Sequence, residues 1–336
     1  MVWLKFAACI AIILFSGTRL ARYGDAISEK TGMGRIWIGL LLLAAITSMP
    51  ELVTGVSAVA LVKLPDLAVG TLLGSCIFNL ALIAVMDTIY RPMPILSRVS
   101  PSHIVSAASG IMIVAVVAAG IGAGRFFSGV TLGWINLTGI LPLVLYLVGI
   151  WWVFRSERNN RAASAQVMPA QYEDLSKKTV YLRFALSAAA IIGAGIWLSF
   201  VGEEISTTYS LHTSFVGSLF LAITTSMPEL VVTLAALRLG AVDMAVADVL
   251  GSNMFNLALI TPVDLAYRRG PVLSSVLGAH LVTALLVIVM SLMVIIGIRF
   301  RQQRKTFSLV SWHSVALVGL YIFGIYRIFV SGMGVG

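Results

Sequence analysis

Long apolar runs, each about as long as a bilayer is thick, make up most of the chain. A spanning helix needs roughly 20 mostly apolar residues. On that basis the sequence predicts ten, at about 2–20, 36–62, 66–89, 102–123, 130–154, 180–200, 212–237, 242–266, 275–298 and 307–330. The runs are continuously apolar and do not alternate, which predicts helices rather than a barrel. One polar segment of any length, 155–179, separates a first five-helix unit, 1–154, from a second, 180–336. The opening, Lys5 followed by Phe6 to Ser16, resembles a signal peptide. No small-x-small cleavage site precedes Arg19-Leu20-Ala21-Arg22, so it reads as a retained first helix.

Composition then decides the solvent. The 336 residues are 59% hydrophobic and 11% charged, against about 25% charged in a soluble domain. The depletion spans the whole length, so the lipid bilayer is the chain's first partner. The net charge of +9 does not read as a nucleic-acid surface, because the basic residues are scattered between apolar runs. They report orientation instead, since cytoplasmic loops carry an excess of Lys and Arg. Loops after odd-numbered predicted helices hold 17 basic residues. Those after even-numbered helices, with the termini, hold 6: Lys5, Lys63, Arg125, Arg268, Arg269 and Arg327. This places 155–179 in the cytoplasm and both termini outside, in a plasma (inner) membrane. Cys9 and Cys76 lie in apolar runs, and neither a disulfide nor a Cys-ligated metal is expected.

Within this frame the sequence repeats itself. Thr47-Ser48-Met49-Pro50-Glu51-Leu52-Val53 recurs as Thr225-Ser226-Met227-Pro228-Glu229-Leu230-Val231. Just over twenty residues later, Gly74-Ser75-Cys76-Ile77-Phe78-Asn79 is matched by Gly251-Ser252-Asn253-Met254-Phe255-Asn256. The first glutamate piece lies on a helix running inside to outside, and its copy on a helix running the other way. Five helices per half, an odd number, insert the halves upside down relative to each other. The predicted fold is an all-α membrane protein with ten transmembrane helices in two inverted five-helix repeats. Transporters of that plan bind substrate near the midplane, where the repeats meet.

The repeated pieces carry chemistry that lipid penalises. An ionised carboxylate at the bilayer centre costs about 2.5 kcal/mol or more. Glu51 and Glu229 would face each other across the pseudo-twofold axis; left unpaired they would repel, and one would take up a proton. A divalent cation between them removes both penalties. Pairing with Lys or Arg has no candidate, because the four motif helices carry no basic residue near mid-depth. Pro50 and Pro228 each leave the carbonyl four residues back without its donor, to be met by a cation or by a neighbouring Thr or Ser hydroxyl. Thr47 and Ser48 precede Glu51 by four and three residues, so all three face one way on a helix; Thr225, Ser226 and Glu229 repeat this. Ser75 with Asn79, and Ser252 with Asn256, are each one turn apart. Carboxylate, hydroxyl, amide and carbonyl oxygens are hard donors that suit Ca²⁺ and Na⁺. Gly74 and Gly251 read as close helix packing.

These four pieces, in this order and spacing, resemble the two α-repeats of the sodium/calcium exchanger family, within the calcium/cation antiporter superfamily. The usual motif there is G-T-S-x-P-E followed by G-S-N-x-x-N/D. The resemblance implies alternating access, with sliding of the first and sixth helices. It also implies cation ligands: Thr47, Ser48, Glu51, Ser75 and Asn79 from one repeat, Thr225, Ser226, Glu229, Ser252 and Asn256 from the other, and the backbone oxygens of Ala44 and Ala222. Three departures stand out. Ile46 and Thr224 occupy the place of the motif glycine, Cys76 replaces an Asn and reads as packing, and Asn256 stands where many exchangers have Asp. Two acids neutralise one Ca²⁺, an arrangement that also resembles calcium/proton exchangers.

Other polar residues are read individually. Asp248, four residues before Ser252, is either an acidic lip at the inner ion entrance or a solvated acid near a helix end. Glu203 and Glu204 are a solvated turn or a cation attractor. Asp87, Asp243 and Asp264 are read as interfacial, and His103, His212, His280 and His313 as scattered, without metal-ligand spacing. The expected function is a secondary cation antiporter moving Ca²⁺ against Na⁺ or H⁺, or another cation, with no cofactor and no inferable protein partner. An intramembrane enzyme would need an activated nucleophile or a His-rich site, and neither spacing is present. A cation channel would usually repeat about an axis normal to the membrane.

Overall fold

A backbone in lipid must satisfy its own polar groups, and the apolar runs accordingly fold as helices. The computed structural model describes residues 1–123, 131–132, 135–163, 171–208, 222–307 and 309–332. Among the described residues eight helices are long and apolar enough to cross a membrane. They are α1 (Val2–Thr31), α2 (Arg35–Val62), α3 (Pro65–Ile89), α4 (Ser102–Gly122), α5 (Leu137–Arg158), α6 (Lys177–Ile205), α8 (Val242–Ala266) and α9 (His280–Arg299). Between and after these lie α7 (Met227–Arg238) and α10 (Trp312–Gly332). The expected seventh helix, 212–237, falls in part on residues outside those described. Before α5, Thr131–Leu132 pairs antiparallel with Ile135–Asn136 in a short hairpin.

Several predicted ends need correction, two of them at the α1–α6 seam. The first helix does not stop near residue 20 but continues to Thr31, because Leu20, Ala21, Tyr23, Ala26 and Ile27 extend its buried face. It closes on Gly32, at φ 70, whose N–H donates to Ser28 O at 3.0 Å. Arg19 and Arg22 are therefore helical. The sixth helix begins at Lys177 and includes Arg183.

The motif helices hold the centre. In α8, 94% of the most apolar window is buried, and in α3 78%, against 33% in α1. Small residues permit the close crossings. A Cβ added at Gly251 would stand 2.5 Å from Leu40 O and 3.0 Å from the Ala44 methyl; one at Gly74 would stand 3.4 Å from the Ala222 methyl. Each motif glycine thus receives the alanine of the opposite repeat. Around this centre α1 lies along α6 and crosses α7, while α9 and α10 flank α3, and α4 and α5 flank α8.

Pairs of polar contacts recur with an offset of 177 residues (66 to 243, 100 to 277, 103 to 280). Asp66 Oδ1 accepts from the Leu277 N–H (2.7 Å) and lies 3.1 Å from His280 Nε2; Asp243 Oδ1 accepts from the Ser100 N–H (2.7 Å) and lies 3.1 Å from His103 Nε2. Asp87 Oδ1 accepts from the Ile95 N–H at 2.9 Å and Asp264 Oδ1 from the Val272 N–H at 2.5 Å, each eight residues on. This corrects two readings. Asp87 and Asp264 do lie near helix ends but are buried rather than solvated, because they cap the turns that follow α3 and α8. Two of the histidines are not isolated but clamp one repeat to the other; His212 lies outside the described residues.

The end of the linker docks on α1. Glu29 accepts from the backbone N–H groups of Gln171 (2.9 Å) and Tyr172 (3.0 Å). The Tyr172 hydroxyl donates to Asp25 at 3.3 Å, and Arg35 donates to both Asp25 oxygens, at 2.6 and 3.0 Å. Burial and the nearby Asp25 carboxylate push the Tyr172 phenol up to about 12, so it remains a donor.

Candidate cation site

Both glutamate motifs break their helices at the same place. Ser48 and Ser226 each adopt φ −87, ψ 10, and the helix restarts at Met49 and Met227 with proline in its first turn. A proline there is tolerated because the first-turn N–H groups lack helical partners anyway. Glu51 and Glu229 fall in the first turn of the restarted segments, where the positive end of the helix dipole favours a carboxylate. The break also redirects the hydroxyls. Thr47 Oγ1 and Thr225 Oγ1 turn back to the carbonyls of Ala44 (3.3 Å) and Ala222 (3.1 Å), which also receive the Ser48 and Ser226 N–H groups, both at 3.1 Å.

Each serine serves the acid of the other repeat. Ser48 Oγ donates to Glu229 Oε1 at 2.8 Å, and Ser226 Oγ to Glu51 Oε1 at 3.0 Å. Ser75 Oγ donates to the same Glu51 oxygen at 3.2 Å and lies 3.0 Å from Ser226 Oγ. Thr47 Oγ1 lies 3.4 Å from Ser252 Oγ, closing a second link between the repeats. Of the side chains that the resemblance names, all ten are buried, and eight of these pieces bond across or within the motif set as just described; Asn79 and Asn256 do not. The expectation that Thr47, Ser48 and Glu51 act together on one face is met only in place. No hydrogen bond joins Ser48 to its own Glu51 among the described residues, because the break at Ser48 turns its hydroxyl away.

What remains is a set of oxygens without partners. Glu51 Oε2, Glu229 Oε2 and the whole side-chain amides of Asn79 and Asn256 are buried and unbonded. Native cores rarely leave such groups orphaned, since each forfeits its hydration. None of the ion pairs among the described residues involves either glutamate. Two carboxylates, two amide oxygens and the surrounding hydroxyls supply the hard oxygens, six to eight in number, that Ca²⁺ takes.

Asp248 is not a solvated acid. It is fully buried; Oδ2 accepts from Thr233 Oγ1 at 2.9 Å and Oδ1 has no partner. Thr233 was missed from sequence, although it lies one turn beyond Glu229, a spacing that puts both on one face. Gly195 of α6 was also missed. A Cβ there would stand 2.5 Å from Pro50 Cγ and 3.3 Å from Pro228 Cγ, so α6 crosses directly over both motif prolines. Nothing in the local sequence marks it. Of the departures, Thr224 is buried and faces α6, with its Oγ1 3.2 Å from where a Cβ of Gly202 would be. Cys76 Sγ lies 3.7 Å from Asn253 O in the packed centre, and Cys9 and Cys76 are both free.

Comparison with known proteins agrees with this geometry. A family model described as sodium/calcium exchanger protein matches residues 1–155 and 179–330. The chain is 24% identical over 318 residues to a membrane protein of Methanocaldococcus jannaschii, covering 94% of each. It is 27% identical over 275 residues to the inner membrane protein YrbG of Escherichia coli, covering 77% of this chain and 81% of that one. Its fold is similar to the solved structure of the sodium-calcium exchanger NCX_Mj, with a TM-score of 0.73 and 19% identity over 97% of this chain and 99% of the other. The match of the family model across both halves, over the same segments that carry the paired glutamate motifs, places this integral, multi-pass membrane protein in the sodium/calcium exchanger family.

Proposed function

We propose that the protein is a secondary antiporter that exchanges Ca²⁺ for Na⁺ or H⁺ by alternating access, with Ca²⁺ as substrate held between Glu51 and Glu229. One observation carries the reading: the reciprocal serine bonds leave one oxygen of each glutamate and both asparagine amides buried without a partner. The proposed ligand set is Thr47, Ser48, Glu51, Ser75, Asn79, Thr225, Ser226, Glu229, Ser252 and Asn256, with the carbonyls of Ala44 and Ala222. Two carboxylates balance the charge of one Ca²⁺. Ten spans form two inverted repeats, 1–154 and 180–336, joined by a cytoplasmic linker, with both termini outside. The offset polar clamps support that arrangement, since each contact between the halves recurs with the roles of the halves exchanged. Asp248 lies on the cytoplasmic side of the site, and we assign it to the inner ion path. No cofactor is required.

The test is Ca²⁺ flux in proteoliposomes under an imposed Na⁺ gradient and then an imposed pH gradient. Uptake driven by one of them is the expected result; uptake driven by neither removes the antiporter reading. A calcium/proton exchanger is the second reading, favoured by Asn256 in the place of a third acid. The pH gradient alone would then drive flux. A channel would pass Ca²⁺ with no counter-ion gradient.

A further inference from the structure

The seam between α1 and α6 opens a cavity of about 460 Å³ on the outside of the helix bundle. Two stripes face each other across it. Phe15, Arg19 and Tyr23 are each one turn apart on α1; Arg183, Leu186 and Ala190 line the α6 side. The apolar members open to lipid: Phe15 is 58% exposed and Leu186 61%.

The arginines are out of keeping with a plain lipid-facing surface. Gly17 packs against Val231 and Val232, two and three residues past Glu229. Arg19 is two residues further along α1, about 3 Å in rise. It therefore stands inside a span, offset from the central motif toward Tyr23 and Arg183, where a guanidinium needs a partner. It has no hydrogen bond or ion pair among the described residues. Its guanidinium lies 3.8 Å over the Phe15 ring, one turn towards the N-terminus, and does not reach for the helix's charged end. Arg183 donates to the Tyr23 hydroxyl at 3.1 Å and meets no acid among the described residues. The acids nearest in sequence, Asp25 and Glu29, are taken by Arg35, Tyr172 and Gln171.

We propose that this groove binds one anionic glycerophospholipid, its phosphate held between Arg19 and Arg183 and an acyl chain lying along Phe15, Leu186 and Ala190. The charge complementarity is one-sided: two cations and no anion line the cavity. The occupant is a lipid rather than a soluble phosphate because the same groove presents apolar walls to the membrane. The lipid would sit between the helix that touches α7 at Val231 and the helix that crosses both motif prolines. The inference does not depend on which ion is transported.

Native mass spectrometry of the full chain in detergent, titrated with phosphatidylglycerol or phosphatidylcholine, tests it. The expected result is one phosphatidylglycerol retained per chain, with phosphatidylcholine stripped under the same conditions. Each basic residue beside an anionic headgroup contributes enough that R19Q/R183Q should weaken retention by about thirtyfold. R22Q, which removes a charge outside the groove, should leave it unchanged. R19K/R183K should restore most of it. Should the double Gln variant not purify as a single species, R19Q alone reads the effect, at about fivefold; its side chain makes no polar bond to lose. The proposal is overturned if R19Q/R183Q retains phosphatidylglycerol like the parent, if R22Q loses as much, or if excess glycerol 3-phosphate binds and displaces the lipid.

Discussion

Replacing Glu229 with Gln separates a transport ligand from a structural strut, because the two roles predict opposite signs. Glu229 is fully buried, accepts one hydroxyl from Ser48 at 2.8 Å, and keeps Oε2 unpartnered. Gln has the same shape and can keep the Ser48 bond, yet it removes one of two like charges in a site without a basic neighbour. The ion-free protein should therefore gain stability, on the order of 1 kcal/mol. Binding should move the other way. Removing one member of a buried charge pairing costs about 3–5 kcal/mol, which is between about two and four decades of affinity for Ca²⁺. Thermal unfolding in detergent, with and without Ca²⁺, reads both. Ca²⁺ at a hundredfold its dissociation constant stabilises the parent by about 2.7 kcal/mol, and that increment should vanish in E229Q. Glu51→Gln should show the same loss of Ca²⁺ response with a smaller ion-free gain, because Glu51 accepts two hydroxyl bonds, from Ser75 and Ser226, where Glu229 accepts one. An ion-free midpoint that falls in E229Q, with the Ca²⁺ shift intact, would refute the reasoning: the glutamate would then be holding the fold together.

Four further outcomes follow from the same geometry. Asp248→Asn should lower the apparent Ca²⁺ affinity from the cytoplasmic side of oriented vesicles and leave the opposite side unaltered; an unchanged profile on both sides removes Asp248 from the ion path. Gly195→Ala should cost about 1–3 kcal/mol by overpacking Pro50, so its unfolding midpoint falls and Ca²⁺ flux falls with it; a silent variant would mean that α6 does not bear on the prolines. Thr224→Gly, which removes the side chain facing Gly202, should raise the flux rate with little change in affinity, measured as initial rates in proteoliposomes. His103→Ala and His280→Ala should destabilise by similar amounts, about 1–3 kcal/mol each, since the two clamps have matching distances; a large disparity in denaturation would break the equivalence of the repeats.

Along the chain alone one reads the lipid solvent, the duplication and the residue types of the candidate site. Each of these is written in spacing: twenty apolar residues cross a bilayer, and two copies of T-S-M-P-E need no coordinates to be seen. Oxygen chemistry was legible for the same reason, because Glu, Ser, Thr and Asn are hard donors wherever they stand. Which donor serves which acid was decided only in three dimensions. Helical spacing pointed Ser48 at Glu51, but the break at Ser48 sent its hydroxyl across to Glu229. Local periodicity describes one helix, whereas that bond depends on how two helices cross. The same limit explains Asp87, Asp264 and the histidines. A position near a helix end suggests water, yet these groups are covered by turns and by elements from the other half. Asp248 and Gly195 are the sharpest cases. An acid sheltered by Thr233 and a glycine pressed on two distant prolines have no signature along the chain, because burial and close approach belong to packing between segments that the sequence holds far apart.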